Sequence, residues 1–155
     1  EILGHGDSVD KPDSESSSGL LTSMSMALAN SCLRGTDIDY ICAHGPSDPT
    51  IDRVETETIK TLFGDHAYRI PVTSIKGATG NPLSAAGPHQ IATCAMSMRS
   101  GIIPPTTNYE YPDPACDLDY VPNSPRRAVV NHALVNLHGL GGGNSSLIVG
   151  RVGRS

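Results

Sequence analysis

The sequence predicts an α/β domain with a largely buried sheet, and two features of its 155 residues indicate this fold class. Short apolar or β-branched runs alternate along the chain with longer segments in which apolar residues recur every three or four positions. Glycine and proline number 16 and 12, which is typical of many sharp turns between short elements. Strands that alternate with helices favour a sheet with helices packed on it.

The first third of the chain predicts a strand, a loop and a helix. Residues 1–6 form a short apolar-leaning run that is typical of a strand. Residues 7–18 are polar and rich in serine, which predicts a loop. A helix follows and is predicted to end at Gly35, because apolar residues recur at spacings of three and four before that glycine. These apolar residues are Leu20, Leu21, Met24, Leu28 and Cys32.

The middle of the chain predicts two strands, each followed by a helix. The strands cover residues 38–43 and 71–75, and the helix after the first strand covers about residues 52–63. The helix after the second strand is predicted from Pro82 to Met98. Asn81 suits the N-cap of that helix and Pro82 its first position. Its small apolar side chains predict burial on several sides.

The last third predicts an irregular segment and a pair of strands. Residues 102–125 form an excursion rich in proline and aspartate, with little regular structure expected. Residues 127–135 and 145–152 are typical of strands, and the glycines of residues 139–143 are expected to form the turn between them.

Composition and charge exclude several classes of protein. The net charge of −5 and the low aromatic content argue against a nucleic-acid-binding protein, and no apolar run is long enough to span a membrane. The four cysteines are widely spaced, with no CxxC pair and no neighbouring ligand histidines, so no metal site is predicted. We interpret them as reduced thiols of a cytoplasmic protein. No targeting segment is visible.

Three loops that follow predicted strands contain the candidate functional residues, because ligand sites of α/β sheets lie at strand ends. In the first loop, His44 leaves a buried strand into a tight turn. It is either a proton carrier or hydrogen-bond donor, or a structural histidine with satisfied partners. In the second loop, Lys76 needs a carboxylate or other acceptors if it is buried, and Glu55 is a candidate partner. A solvated surface lysine is the alternative.

The third loop contains the glycine-rich run from His138 to Asn144. A dinucleotide-binding fingerprint is excluded, because Asn144 stands in place of the last glycine and a strand follows instead of a helix. The glycines either allow backbone N–H groups to approach a ligand or form a simple turn.

Together these segments resemble the C-terminal half of β-ketoacyl-acyl-carrier-protein synthases, the type-II condensing enzymes of the thiolase fold. The similarity runs from Glu1 to Val152 and is carried by six segments in matching order: 37–45, Glu55-Thr56, Thr79-Gly80 with 85–87, 101–108, 116–123 and 139–144. The resemblance implies the C-terminal αβ half of a five-layer αβαβα architecture. It also implies a complete protein that condenses an acyl thioester with malonyl carrier protein, with loss of CO₂, in fatty acid or polyketide synthesis.

The resemblance also assigns roles to single residues. His44 matches the first histidine of the family, Lys76 its lysine and Glu55 its supporting glutamate. The backbone N–H of Leu140 matches the donor of the oxyanion hole, between Gly139 and Gly141 of the substrate-binding turn. No cofactor is expected, because the phosphopantetheine arm arrives on the carrier protein.

The chain departs from the family pattern at five positions. The second family histidine is Asn81, which can donate a hydrogen bond to an enolate but cannot exchange a proton near neutral pH. A helix N-cap is the alternative role for Asn81. Pro46 and Asp48 replace the threonines that touch the pantetheine arm, and His138 and Leu140 replace a pair of phenylalanines, so acyl gating is expected to differ.

The nucleophilic cysteine of the family has no counterpart here, because none of the four cysteines lies at a glycine-flanked turn from a strand to a helix. We therefore expect residues 1–155 to be one domain that pairs with an N-terminal half and is inactive alone. The expected partners are that half, an acyl carrier protein and a second subunit in a homodimer or heterodimer. One alternative is a non-catalytic subunit of the chain-length-factor type, which shapes a partner's pocket. A thiolase-fold hydrolase or transferase is another.

Overall fold

A computed structural model describes residues 1–10 and 18–153 of the chain. Five strands form a mixed sheet in the order β1-β7-β6-β2-β3. They are β1 (Ile2–Val9), β2 (Tyr40–Cys42), β3 (Val72–Thr73), β6 (His132–His138) and β7 (Gly143–Gly150). Strands β4 (Ile102–Ile103) and β5 (Arg126–Arg127) pair separately. The central strand β6 is antiparallel to β7 and parallel to β2, which places the ends of β2 and β6 side by side.

Helices cover both faces of the sheet. They are α1 (Ser18–Ser31), α2 (Pro49–Phe63), the single turn α3 (Lys76–Thr79) and α4 (Ala86–Ser100). Side chains of α1 and α2 pack on one face against residues such as Ile41 and Leu134. Side chains of α4 pack on the other face against Tyr40, Cys42 and Val135. The alternation of side chains along each strand therefore supplies two apolar cores, one on each side of the sheet.

The loop predicted over residues 7–18 is wrong at both ends. Strand β1 continues to Val9, because Asp7 and Ser8 pair with Ser145 and Asn144 of β7. Helix α1 already begins at Ser18, and residues 11–17 lie outside the described part of the chain. Pairing with a neighbouring strand therefore outweighs the polar character of residues 7–9.

The boundaries predicted for two helices are also wrong. Helix α1 ends at Ser31, before the predicted stop at Gly35. Helix α4 begins at Ala86 instead of Pro82, after a short 3₁₀ turn, because Leu83 has a φ of 51° that no α-helix accommodates. The proline in the first turn of α4 is therefore Pro88.

The burial predicted for α4 is only partly correct. Gln90, Cys94 and Met98 are buried along one side of the helix, whereas the opposite side is exposed. Met96 is 61% exposed, and Ala92 and Ala95 are also exposed. The small apolar side chains of this helix therefore cover one face of the sheet and leave a second apolar face open.

The segment 102–125 is irregular as predicted, apart from β4 and a bridge between Thr106 and Pro122. Within the described ranges, every helix is too short or too polar to cross a membrane.

Candidate active site

The site is built around the carboxylate of Glu55, which is 3% exposed on α2. Its Oε1 accepts hydrogen bonds from the backbone N–H of His44 at 2.9 Å and from Nδ2 of Asn136 at 3.1 Å. Its Oε2 accepts the N–H of Gly45 at 2.9 Å. A buried carboxylate is tolerated when several donors satisfy it. Glu55 therefore fixes the backbone of the turn that carries His44.

Lys76 holds the other side of the same turn. Its Nζ donates to the carbonyl oxygen of His44, and the side chain is 8% exposed. Of the acceptors expected for a buried Lys76, a backbone carbonyl takes the hydrogen bond, while the candidate partner Glu55 binds backbone N–H groups and acts on the lysine through its charge. Burial lowers the pKa of Lys76, and the charge of Glu55 opposes that shift. Glu55 thus binds the N–H groups of His44 and Gly45, while Lys76 binds the carbonyl oxygen of His44.

The turn after His44 requires a backbone conformation that favours glycine at position 45. Gly45 has a φ of 36°, and a Cβ there would lie 2.7 Å from Cβ of Ser74. Ser74 in turn donates from Oγ to the carbonyl of Gly45 at 2.7 Å. Only glycine fits this close approach between the end of β2 and the end of β3.

The imidazole of His44 is neutral at physiological pH. Burial, the charge of Lys76 and the neighbouring His138 lower the pKa of His44 to about 4. Its Nδ1 is buried and has no hydrogen-bond partner among the described residues. The ring of His138 lies edge-on to it, with 6.1 Å between ring centroids. A neutral imidazole can still donate one hydrogen bond to a carbonyl or enolate oxygen.

Two buried amides, which sequence reasoning missed, connect the ends of β2 and β6. Asn136 on β6 donates to Glu55 and accepts at Oδ1 from Oγ of Ser146 at 3.2 Å. Gln90 on α4 is 1% exposed, and its Nε2 contacts the carbonyl oxygens of Cys42, Ala43 and Asn136 at 2.7–3.1 Å. The only signal in the sequence is a polar amide inside an apolar strand or helix.

Asp48 and Pro46 occupy the turn between His44 and α2. The carboxylate of Asp48 is the N-cap of α2 and accepts from the N–H groups of Thr50 and Ile51 at 2.9 and 3.0 Å. The first turn of α2 begins with Pro49, which suits that position. The structure therefore gives Asp48 a role in starting the helix, while Pro46 is half-buried with no hydroxyl to offer.

Asp52 lines a cavity of about 340 Å³ that lies beside Glu55, between α2 and residues 106–111. Burial, with the charges of Glu55 and Asp48, raises the pKa of Asp52 to about 6. Its Oδ1 is buried without a hydrogen-bond partner in the described ranges. The carboxyl group of Asp52 therefore takes up a proton more readily than an ordinary aspartate.

Asn81 and Leu140 lie outside this buried network. Asn81 is exposed, and its Oδ1 accepts the N–H of Leu83 at 3.2 Å, just before the 3₁₀ turn, so the N-cap role predicted for it at α4 is wrong. Leu140 is 97% exposed at the tip of the hairpin between β6 and β7. Gly139 donates its N–H to Gly143 and Gly142 donates to Gly139, while Gly141 has a φ of 93°. The predicted site thus divides into a buried cluster and two exposed loops.

In the described part of the chain, no cluster of three His, Cys, Asp or Glu side chains is arranged to hold a metal ion. All four cysteines are free thiols, with Cys42 and Cys94 buried in the core.

Comparison with known proteins places these observations in a family. Residues 3–110 match the model of the beta-ketoacyl synthase C-terminal domain. The chain is 41% identical to 3-oxoacyl-[acyl-carrier-protein] synthase 2 of Coxiella burnetii, over 98% of this chain and 38% of that protein. It is 43% identical to the ketoacyl synthase alpha subunit of the tetracenomycin polyketide synthase of Streptomyces glaucescens, over 91% of this chain and 32% of that protein. The chain therefore spans less than two-fifths of these relatives.

Solved structures are similar over almost the whole chain. A type II polyketide ketosynthase, solved with its acyl-carrier protein and a hexaketide, matches with a TM-score of 0.93 and 29% identity. That match covers 97% of this chain and 38% of the other. The ishigamide ketosynthase/chain length factor matches with a TM-score of 0.91 and 31% identity, over 98% of this chain and 38% of the other. The fold is thus the thiolase-like fold of ketosynthases, and the chain belongs to the β-ketoacyl synthase family, whose C-terminal domain it matches.

Proposed function

We propose that this domain supplies the C-terminal part of the active site of a condensing enzyme. The complete protein joins an acyl thioester to a malonyl thioester on a carrier protein and releases CO₂. The buried hydrogen bonds from His44, Gly45 and Asn136 to Glu55 carry this proposal, because they hold the backbone that carries the imidazole at the end of two strands. Such preorganised donors are what a reaction that develops charge on oxygen requires.

The proposed condensation develops negative charge on oxygen in two of its steps. When the malonyl group loses CO₂, the electron pair of the broken C–C bond forms an enolate. Attack of that enolate on the acyl thioester then forms a tetrahedral oxyanion, which collapses and expels a thiolate. The neutral ring of His44 and the amide of Asn81 are suited to donate to the thioester and enolate oxygen. The N–H of Leu140 is suited to the oxyanion.

The nucleophilic thiol is proposed to come from an N-terminal half that packs on this domain. The exposed apolar side of α4, with Ala92, Ala95 and Met96, supports a contact of this kind. An open apolar helix face in a domain of this size favours burial against another layer of structure. The proposed complete fold is the five-layer αβαβα arrangement, working as a dimer in the cytoplasm. Its phosphopantetheine arm is proposed to arrive on the carrier protein.

The test uses the full-length protein that contains these residues. It is incubated with acyl carrier protein carrying an acyl group and analysed by mass spectrometry for an acyl-enzyme, then with malonyl carrier protein for a ketoacyl product. We expect both species in the wild type and a large loss of product in His44→Ala. The exposed His5→Ala variant on β1 is the matched control and is expected to keep wild-type rates. A well-folded wild-type protein that forms neither species would refute the proposal.

A second function is a subunit of the chain-length-factor type, which binds carrier protein and shapes a partner's pocket without catalysis. It is favoured by the use of Asp48 as a helix cap and by the exposed Asn81 in place of a histidine. Addition of the protein to an active ketosynthase partner distinguishes the two functions. A chain-length-factor type subunit changes the product length of the partner and forms no acyl adduct of its own.

A further inference from the structure

His138 occupies the end of β6, directly beside His44, where the family resemblance places a phenylalanine. Its ring is inclined by 70° to that of His44, and its side chain is 27% exposed. We propose that His138 is a second hydrogen-bonding histidine of this site, whose protonated Nε2 donates to the enolate oxygen of the malonyl thioester. This inference rests on the proposed condensing function and adds a charged donor that Asn81 cannot provide.

The hydrogen bonds of Asn144 fix which nitrogen of His138 is available. Nδ2 of Asn144 donates to Oδ2 of Asp10 at 3.0 Å and to the carbonyl of Gly142 at 3.1 Å, and both of these atoms can only accept. Oδ1 of Asn144 therefore faces Nδ1 of His138, at 2.8 Å. Because that oxygen is an acceptor, Nδ1 must carry a proton. Nε2 is the nitrogen that remains for a ligand.

Asp10, which directly follows β1, anchors this arrangement. Its Oδ1 accepts the N–H of Gly19 at the start of α1, at 3.0 Å, while its Oδ2 accepts from Asn144. Oδ2 also lies 3.8 Å from Nδ1 of His138 and forms an ion pair with the ring when the ring is protonated. The hydrogen bonds that run from Asp10 through Asn144 to His138 resemble those by which a carboxylate orients a catalytic histidine. Here an amide lies between the carboxylate and the ring.

Charged and titratable groups face His138 from the ends of several elements. Asp10 follows β1, the neutral Asn144 lies on β7 and His44 follows β2. His44 stays neutral, since burial holds its pKa at about 4, so the two rings do not repel each other. Lys76 faces the carbonyl of His44 and adds the one further positive charge close to His44 in the described part of the chain.

The oxygen atoms of the substrate require a proton on Nε2 of His138. Thioester and enolate oxygens accept hydrogen bonds and donate none, so Nε2 must carry a proton to bind them. The enolate charge appears when CO₂ leaves and disappears when the new C–C bond forms to the acyl carbon and the thiolate departs. The proton stays on Nε2 throughout, so His138 stabilises charge without being consumed. Charged donors give stronger hydrogen bonds than neutral ones.

The test measures CO₂ release from malonyl carrier protein by the full-length protein as a function of pH. We expect the wild-type rate to fall as the pH rises, because only a protonated Nε2 donates to the enolate oxygen. His138→Gln keeps a neutral donor, so its rate should be about tenfold lower at the acidic end and lack this fall. Asp10→Asn should lower kcat with little change in KM. The exposed His5→Gln on β1 is the control and should match the wild type in rate and pH profile.

Three results would overturn parts of this inference. A folded His138→Gln protein with the wild-type pH profile refutes the role of His138 while leaving the condensing function intact. If that variant does not fold, an Asp10→Asn protein with the wild-type kcat refutes it instead. A wild-type protein that releases no CO₂ and forms no acyl adduct refutes the proposed function and this inference with it.

Discussion

The buried residues around His44 and the exposed loops at Asn81 and Leu140 differ in how completely this domain determines them. Around the histidine, Glu55 and Lys76 hold the turn through hydrogen bonds to backbone atoms, and all three residues are more than 90% buried. Asn81 and Leu140, by contrast, are exposed, and Asn81 accepts a hydrogen bond from nearby Leu83. The comparison teaches that this domain fixes the position of its histidine by itself. The exposed loops at Asn81 and Leu140 are left open to other contacts.

The largest expected effect is on the buried side, at Glu55. Glu55→Gln replaces one of the two acceptor oxygens by an NH₂ group that faces N–H donors. We expect the free energy of unfolding of the full-length protein to fall by about 3 kcal/mol, together with loss of condensing activity. Denaturant titration measures the stability.

Glu57→Gln is the matched control for this substitution. Glu57 lies on the exposed side of the same helix, pairs with Lys60 and is 63% exposed. Its substitution is expected to change stability far less. Equal losses for both variants would contradict the idea that Glu55 organises the turn.

The next largest effect is expected at the exposed tip of the hairpin. Leu140→Pro removes the backbone N–H, whereas Leu140→Ala retains it. We expect the proline variant to lose about 10²-fold in kcat and the alanine variant to keep most of its activity, with similar stability for both because the side chain is exposed. Steady-state kinetics and thermal unfolding measure these quantities. Full activity in a folded proline variant would exclude the oxyanion role.

A smaller effect on stability is expected from the ionisation of His44 and of Asp52, which act in opposite directions. His44 has a folded pKa of about 4, below its ordinary value near 6.5, so stability is lost as the pH falls from 6.5 towards 4 because the unfolded chain binds the proton first. Asp52 has a folded pKa of about 6, above its ordinary value of 3.8, so stability is gained as the pH falls from 6 towards 4. The two contributions largely cancel between pH 4 and 6.

Substitution separates these contributions. Asp52→Asn should become more sensitive to acid than the wild type, by about 1–2 kcal/mol between pH 7 and 4 after screening is allowed for. His44→Gln should instead become more stable on acidification over the same range. Denaturant titrations at several pH values measure both slopes. Parallel curves for the two variants would show that these pKa shifts do not govern stability.

The smallest effect on stability is expected at Asn81. Asn81→Ala removes one exposed hydrogen bond to Leu83, so the free energy of unfolding should change by less than about 0.5 kcal/mol. Activity should fall about tenfold if the amide serves the enolate. Thermal unfolding and kinetics of the same sample separate the two. A loss of stability without a loss of activity would make Asn81 a turn residue only.

The sequence by itself determined the fold class, the strand that leads into His44 and the end of α2 at Phe63, because these follow from local patterns and capping. It also indicated His44, Glu55 and Lys76, through the resemblance. It placed the start of α4 incorrectly, because Asn81 and Pro82 carry N-terminal helix signals that the positive φ of Leu83 overrides.

Only the tertiary structure decided which groups meet. Glu55 and Asn136 are 81 residues apart, and they touch because β6 lies next to β2 in the sheet. Asp10 and Asn144 are 134 residues apart, and they meet because β1 pairs with β7 and so orient His138. Spacing and propensity act over a few residues, whereas strand order and burial choose partners across the chain. Sequence therefore supplied the chemical groups of the site, and the sheet decided how they are joined.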